Sequence, residues 1–279
     1  MPSGVADRGS EDHSGHGARQ ETPSVSVVIP CFNQAHYLGE AIESVLGQTF
    51  EATDLVVVDD GSADNSFEVA GRYPGVTRLR QENRGVAAAR NRGLAASAGE
   101  LVVFLDADDR LLPGALELGV EMLARRPHIA FVAGMPRDIR GDGTLIESSR
   151  QPLVTEDHYL RLLENCFIWS GSSVVHRRSA LDRIGGFDES LAAGDDYDLY
   201  LRIARELPIH CHDAVVTEYR RHGANTTRDP GVVLRSQLQV LERQEPQLRD
   251  RRERQACEEG ARRTREQYEA ALAGAGGPV

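Results

Sequence analysis

Residues 101–109 read Leu101-Val102-Val103-Phe104-Leu105-Asp106-Ala107-Asp108-Asp109. The five apolar residues, rich in β-branched and aromatic types, predict a buried strand. Three carboxylates crowd its C-terminal end, and charges that close repel unless something positive lies among them. If extended geometry persists past Leu105, Asp106 and Asp108 point to one side and Ala107 to the other. The two carboxylates could then share a hard divalent cation with the oxygens of a phosphate. Read alone, the stretch serves equally well as an acidic turn ahead of the helix that follows Pro113.

The residues upstream supply the context. Residues 25–29 form a short apolar strand, left through the loop Pro30-Cys31-Phe32-Asn33, and Leu38, Ile42, Val45 and Leu46 then fall on one face of a helix. Residues 54–58 form a second strand that ends in Asp59-Asp60-Gly61-Ser62, with Asp64 or Asn65 placed to cap the next helix. After Pro74-Gly75, residues 76–79 read as a third strand and residues 85–98 as an alanine-rich helix. Strands alternating with helices at this interval imply crossover units and a parallel sheet, whose ligands bind outside the carboxyl ends of the strands. Asp59, Asp60, Asp106, Asp108 and Asp109 all fall at that edge.

Downstream, the pattern predicts a helix over 115–125, a strand over 129–133 and a hairpin over 137–150 centred on Gly141-Asp142-Gly143. A short strand at Val174-Val175 precedes a helix over 177–184, ended by Gly185-Gly186. Residues 209–219 suggest a strand, and residues 232–272 a charged helical tail. Residues 1–23 have almost nothing to bury and are expected to be disordered.

Composition narrows the function. With 279 residues and 40% apolar content the chain can bury a sizeable core. A net charge of −11 argues against nucleic acid as the main partner. The chain has no lysine, so its permanent positive charges are all arginine. Cys31, Cys166, Cys211 and Cys257 are widely spaced with no CxxC pair, which points away from a zinc site or disulfide framework and toward a reducing cytoplasm. No apolar run approaches membrane-spanning length and the N-terminus is polar, so a membrane-embedded polymerising synthase is not expected.

Several groups at the predicted edge suit a nucleotide. The Asp60 carboxylate can accept from a pyrimidine N–H or from ribose hydroxyls, or it can close a turn. Asn83-Arg84-Gly85 opens a helix that carries Arg90 and Asn91, and a helix N-terminus with nearby arginine can hold diphosphate or contact a base. Such arginines are equally at home as solvated surface charges.

The motifs also come in an order that resembles glycosyltransferase family 2. They are Val27-Val28-Ile29-Pro30-Cys31-Phe32-Asn33, Ala41-Ile42-Glu43-Ser44-Val45-Leu46-Gly47-Gln48-Thr49, Val58-Asp59-Asp60-Gly61-Ser62, Asn83-Arg84-Gly85 followed by Ala89-Arg90-Asn91, and Phe104-Leu105-Asp106-Ala107-Asp108-Asp109. The resemblance covers about residues 24–227 and implies an α/β protein of GT-A fold, a Rossmann-like, mostly parallel central sheet flanked by helices. Residues 24–110 would form the nucleotide-sugar half, 111–227 the acceptor half with its own subregion, and 228–279 a helical extension.

The resemblance implies a nucleoside-diphosphate sugar donor, UDP-sugar favoured and dTDP- or GDP-sugar as alternatives, with Mn2+ or Mg2+ and inversion at the anomeric carbon. Asp60 would contact the base and Asp106 the ribose, with Pro30, Phe32, Asn33, Arg84, Arg90 and Ala107 completing the donor site. Asp108 would hold the metal, with Asp109 as the alternative. Gly194-Asp195-Asp196-Tyr197 stands where the family usually has Glu-Asp, making Asp196 the catalytic base and leaving the role of Asp195, assigned to acceptor binding, in doubt.

Tyr219-Arg220-Arg221-His222 resembles the segment closing over the diphosphate, with Arg220 as a diphosphate contact and His222 as a metal ligand. Trp169 would stack on an acceptor sugar, its alternative being a place in the core. The polymer-forming signature Gln-x-x-Arg-Trp is missing, so one sugar is transferred to a carbohydrate, lipid-linked or small-molecule hydroxyl. The C-terminal helix could pack on the domain, mediate homodimerisation or touch the inner face of a membrane. Two other classes use similar carboxylates: a sugar-phosphate nucleotidyltransferase, which needs a glycine- and lysine-rich phosphate loop, and a catalytically silent nucleotide-sugar binding protein.

Overall fold

A computed structural model describes residues 23–147, 151–223, 225 and 228–275. Residues 1–22 of the expected N-terminal tail and the last predicted residues of the hairpin, 148–150, therefore lie outside the described residues. Four strands, β1 (Val25–Cys31), β2 (Asp54–Asp59), β3 (Val76–Arg80) and β4 (Leu101–Phe104), alternate with α1 (Ala35–Leu46), α2 (Ser66–Ala70) and α3 (Val86–Ala95). They pair in parallel in the order β3-β2-β1-β4.

The 101–105 run lies at the centre of the sheet and is covered on both faces. Leu101, Val103 and Leu105 join the core under α1 and α4 (Ala115–Ala124), while Val102 and Phe104 join the opposite core. β1 follows the same period, with Val25, Val27 and Ile29 on one side and Val28 on the other. A strand sandwiched between two helical layers has to be apolar throughout, so its pattern reads as a run without alternation.

The strand over 25–29 runs two residues further than expected, because Pro30 and Cys31 pair with Val58 and Asp59. Pro30 is tolerated there because β4 pairs only with residues up to Val28, so β1 has a partner on one side alone.

The remaining elements are β5 (Arg110–Leu111), β6 (Phe131–Arg140), α5 (His158–Glu164), β7 (Val174–Arg177), α6 (Arg178–Ile184), α7 (Asp195–Glu206), β8 (His210–Arg221), α8 (Pro230–Gln244) and α9 (Arg251–Ala275). Among the described residues the sheet has eight strands, ordered β3-β2-β1-β4-β7-β6-β8-β5. β7 runs antiparallel to β4 and β6, and β5 antiparallel to β8, so the sheet is mostly but not wholly parallel. The predicted hairpin is a prolongation of β6 whose return is held by one bridge, Ile139 to Leu145.

The charged tail is two helices divided around Pro246. Val240, Leu241, Ala256 and Cys257 enter the main core, and Gly260 lies so close to α5 that a Cβ there would sit 2.0 Å from the Leu163 carbonyl oxygen. No helix among the described residues is long and apolar enough to cross a membrane.

Candidate active site

The chain leaves β4 by a turn in which the Asp109 N–H donates to the Asp106 carbonyl, so extended geometry stops short of the acidic cluster. The three carboxylates consequently go to three different neighbourhoods. Asp106 turns toward α3, where its Oδ1 lies 2.7 Å from Arg90 Nη2; its side chain remains 32% exposed. Asp108 turns toward the end of β8, and its Oδ2 lies 2.7 Å from His222 Nε2. Asp109 turns inward and is buried, accepting from the Ser172 hydroxyl at 2.7 Å and the Arg220 N–H at 3.0 Å. Burial first, and then the neighbouring carboxylates, raise Asp108 and push Asp109 well above the usual carboxylate range.

This placement separates the two metal-ligand candidates. Asp108 and His222 bring a carboxylate oxygen and an imidazole nitrogen together, a donor set that accepts Mn2+ or Mg2+ once phosphate oxygens complete the shell. No group of three His, Cys, Asp or Glu side chains gathers as a metal site among the described residues. Asp109 is corrected from alternative ligand to anchor, because both its oxygens are committed inside the protein.

Arg220 is a second correction. Its side chain is fully buried, and its guanidinium donates to the Asp108 carbonyl, the Gly141 carbonyl and Glu40 while lying 4.4 Å over the Tyr37 ring. It props up the acidic turn from below, and its full burial there keeps it from a diphosphate. Glu40, Tyr37 and Ser172 escaped the sequence reading, since each is an ordinary helix or turn residue until the fold brings it beneath this turn.

Asp60 follows β2 and is buried. Its Oδ1 accepts from Gln81 Nε2 at 2.7 Å and the Arg84 N–H at 2.9 Å, and its Oδ2 from the Gly85 N–H at 2.9 Å. A carboxylate offers about four acceptor positions, so one remains after these three. Gly61, at φ 77°, makes this close approach workable: a Cβ would meet the Asn83 nitrogen at 2.8 Å. Phe32 is exposed beside this loop, Pro30 and Ala107 are buried, and Asn33 takes φ 54° with its side chain accepting from Ala63 N–H. The Arg84 side chain is exposed and pairs with Glu189.

α3 carries Arg90 into the interior. Its buried face is Ala87, Ala88, Ala89 and Gly93, and a Cβ on Gly93 would strike Val28 at 2.2 Å, so the helix lies close against β1. Arg90 is 5% exposed and bridges Asp106 to Asp195, each at 2.7 Å. Burial lowers its basicity, but Asp195, Asp106 and Asp196 more than offset that and hold it firmly protonated. Arg90 is thus corrected from a direct donor contact to a buried bridge. Asn91, next on the helix, clamps Phe187 through both backbone groups.

Asp195 and Asp196 open α7 after Gly194. Asp196 is half-buried: its Oδ1 accepts from the Tyr197 N–H, and no described residue donates to its Oδ2. Burial and then the charge of Asp195 push its carboxyl up to about 6, against the opposing pull of Arg90. A Cβ placed on Gly171 would lie 3.6 Å from the Tyr200 hydroxyl, 3.8 Å from Arg90 Nη2 and 3.9 Å from Asp196 Oδ2, so all three border the space that this glycine leaves open. Trp169 is 40% exposed, which removes the core alternative, and its N–H is held by the buried Gln151 side chain. A carboxylate whose basicity is raised toward neutral pH, with one oxygen that no described residue donates to and a buried cation nearby, is equipped to take a proton.

Comparison with known proteins gives this arrangement its context. Residues 26–185 match the family described as glycosyl transferase family 2, and residues 142–252 a group described as glycosyltransferase like family 2. An uncharacterized glycosyltransferase of Rickettsia felis is 32% identical over 72% of this chain and 34% of its own length. A chondroitin synthase of Escherichia coli is 28% identical over 75% of this chain and 30% of its own. The chain therefore spans about a third of the length of these two relatives. Among solved structures, S. aureus TarS 1-349 in complex with UDP-GlcNAc aligns with TM-score 0.69 and 20% identity over 87% of this chain and 73% of that one. A mannosyltransferase of Pyrobaculum calidifontis in complex with GDP-Man and Mn2+ aligns with TM-score 0.67 and 22% identity over 93% and 77%.

Proposed function

The chain belongs to glycosyltransferase family 2 and has the GT-A fold, and from that premise we propose that it transfers one sugar, with inversion, from a nucleoside-diphosphate sugar to an acceptor hydroxyl. UDP-sugar is the favoured donor and dTDP- or GDP-sugar the alternative; the acceptor is a carbohydrate, a lipid-linked molecule or a small alcohol. The observation that carries this reading is Asp196, whose open Oδ2 and pKa of about 6 suit a general base near neutral pH.

In this reading the acceptor hydroxyl attacks the anomeric carbon from the face opposite the departing diphosphate, and Asp196 Oδ2 takes its proton as the bond forms. The remaining acceptor position of Asp60 receives a pyrimidine N–H, and the exposed part of Asp106 receives the ribose hydroxyls. Asp108 and His222 would hold Mn2+ or Mg2+, which when bound offsets the charge of the leaving diphosphate. The exposed Trp169 ring offers a stacking face to an acceptor sugar. The free and mostly buried cysteines suit a reducing cytoplasm.

A screen of UDP-, dTDP- and GDP-sugars by thermal unfolding, with and without Mn2+ or Mg2+, tests the donor class. Ligand at 100 times its Kd adds about 2.7 kcal/mol to stability, enough for a clear rise in Tm. At least one donor should stabilise the protein more strongly with metal than without. No shift from any nucleotide sugar would sink the reading.

Asp60 makes a narrower prediction. Asp60→Asn puts an amide where the carboxylate accepts from backbone N–H groups, so stability should fall by about 1–3 kcal/mol. UDP affinity, measured calorimetrically without metal, should fall at least about tenfold, or 1.4 kcal/mol. Lost stability with unchanged UDP affinity would leave Asp60 holding the 83–85 loop and nothing more.

A further inference from the structure

We propose that Arg90 is a positioning residue that governs the ionisation of the Asp196 base from behind, by bridging Asp106 on the donor side to Asp195 beside the base. This rests on the reading of Asp196 as the base. The geometry fits no simpler role. The guanidinium is sealed under Phe187, 5.3 Å from the ring centre, and is 5% exposed, so it is not a solvated charge. Its two terminal nitrogens each meet one carboxylate at 2.7 Å, so the fork is shared between two protein partners. Those carboxylates belong to different parts of the site, the turn after β4 and the first residue of α7. A planar fork, with donors on separate nitrogens, suits two carboxylates that approach from different directions.

Asp196 feels this bridge through space. The groups that face it are Asp195 on its own helix, Arg90 on α3, Asp106 after β4, Tyr200 one turn along α7 and Cys166 ahead of β7. Among them Arg90 is the one cation. Arg90 Nη2 and Asp196 Oδ2 border the same space at Gly171, at 3.8 and 3.9 Å from the position a Cβ would take. Asp195 thus acts on the base with two signs: its own charge discourages a second carboxylate, and it holds the cation that permits one. The shorter Asp195, where the family usually has glutamate, meets Arg90 directly.

The bridge predicts opposite displacements from its two ends. Asp195→Asn removes the like charge and leaves Arg90 less neutralised, so Asp196 should titrate lower by about one unit or more. Arg90→Gln leaves the carboxylates without their cation, so Asp196 should titrate higher by a similar amount. The midpoint is read by carboxyl-carbon NMR on aspartate-labelled protein, with Asp196→Asn assigning the signal and neither donor nor acceptor present. Should Arg90→Gln fail to fold, Asp195→Asn, which keeps the shape and an acceptor for Arg90, carries the test. An unmoved midpoint, or displacement of both variants in the same direction, overturns the proposal. Because no substrate enters the titration, the expected shifts in a protein that transfers no sugar would overturn the enzymatic reading and leave the bridge standing.

Discussion

Asp196→Asn is expected to lower turnover by roughly a hundred- to ten-thousand-fold, the usual contribution of a positioned general base. Donor binding should survive, because the carboxyl borders the space by Gly171 and, among the described residues, forms no hydrogen bond with the Asp60 loop or the Asp108–His222 pair. The substitution should also stabilise the protein at neutral pH. Asp196 titrates near 6 in the folded chain and near 4 when unfolded, so folding favours its protonated form and its ionisation opposes folding. The cost is absent below about pH 4, grows between pH 4 and 6 and is complete above it, on the order of 2–3 kcal/mol. Asparagine, which still accepts from the Tyr197 N–H, removes that cost at pH 7 and gains nothing at pH 4. In the parent, kcat/KM should fall as pH drops below about 6. Near-normal turnover in Asp196→Asn would move the base elsewhere, with Asp195 or Asp198 next in line, and a product that keeps the donor's anomeric configuration would refute inversion.

The first half of the fold was legible because its signals are local and agree. The runs at 25–29, 54–58 and 101–105 are apolar apart from Ser26 and Asp54, helical periodicity fills the gaps, and a chain alternating in this way has few topologies open to it. The carboxyl edge followed from the same alternation, which placed Asp59, Asp60, Asp106, Asp108 and Asp109 there, whereas Asp196 was named only through the family resemblance. The directions of side chains beyond the strand ends could not. Whether Asp108 or Asp109 faces outward depends on one turn, and that turn is held by Ser172 and Arg220, 63 and 111 residues away in sequence. Arg220 and Arg90 look in sequence like any exposed arginine. Their burial depends on a hairpin carbonyl, on Glu40 of α1 and on how closely the small residues of α3 let that helix approach the sheet. Long-range pairing of charges leaves no periodic trace.

The acidic turn makes the second large prediction, and it separates two adjacent carboxylates by opposite behaviour. Asp108→Asn keeps the shape of a side chain whose oxygen faces His222 but removes the charge that a divalent cation needs. Turnover should drop at least about a hundredfold, and Mn2+ or Mg2+ should no longer add to the stabilisation given by UDP. The metal-free protein should be as stable as the parent or more so, because one charge leaves a crowded trio in which burial and Asp106 already disfavour ionisation of Asp108. Asp109→Asn should behave the other way round. Its two oxygens accept from Ser172 and from the Arg220 backbone inside the protein, and an amide cannot accept at both, so stability should fall by about 1–3 kcal/mol. Metal dependence should be retained in the molecules that stay folded. Thermal unfolding of the two variants with UDP, across a series of metal concentrations, reads both effects in one experiment. Unchanged metal dependence and full activity in Asp108→Asn, with both lost in Asp109→Asn, would reverse the assignment and require the turn to open on binding.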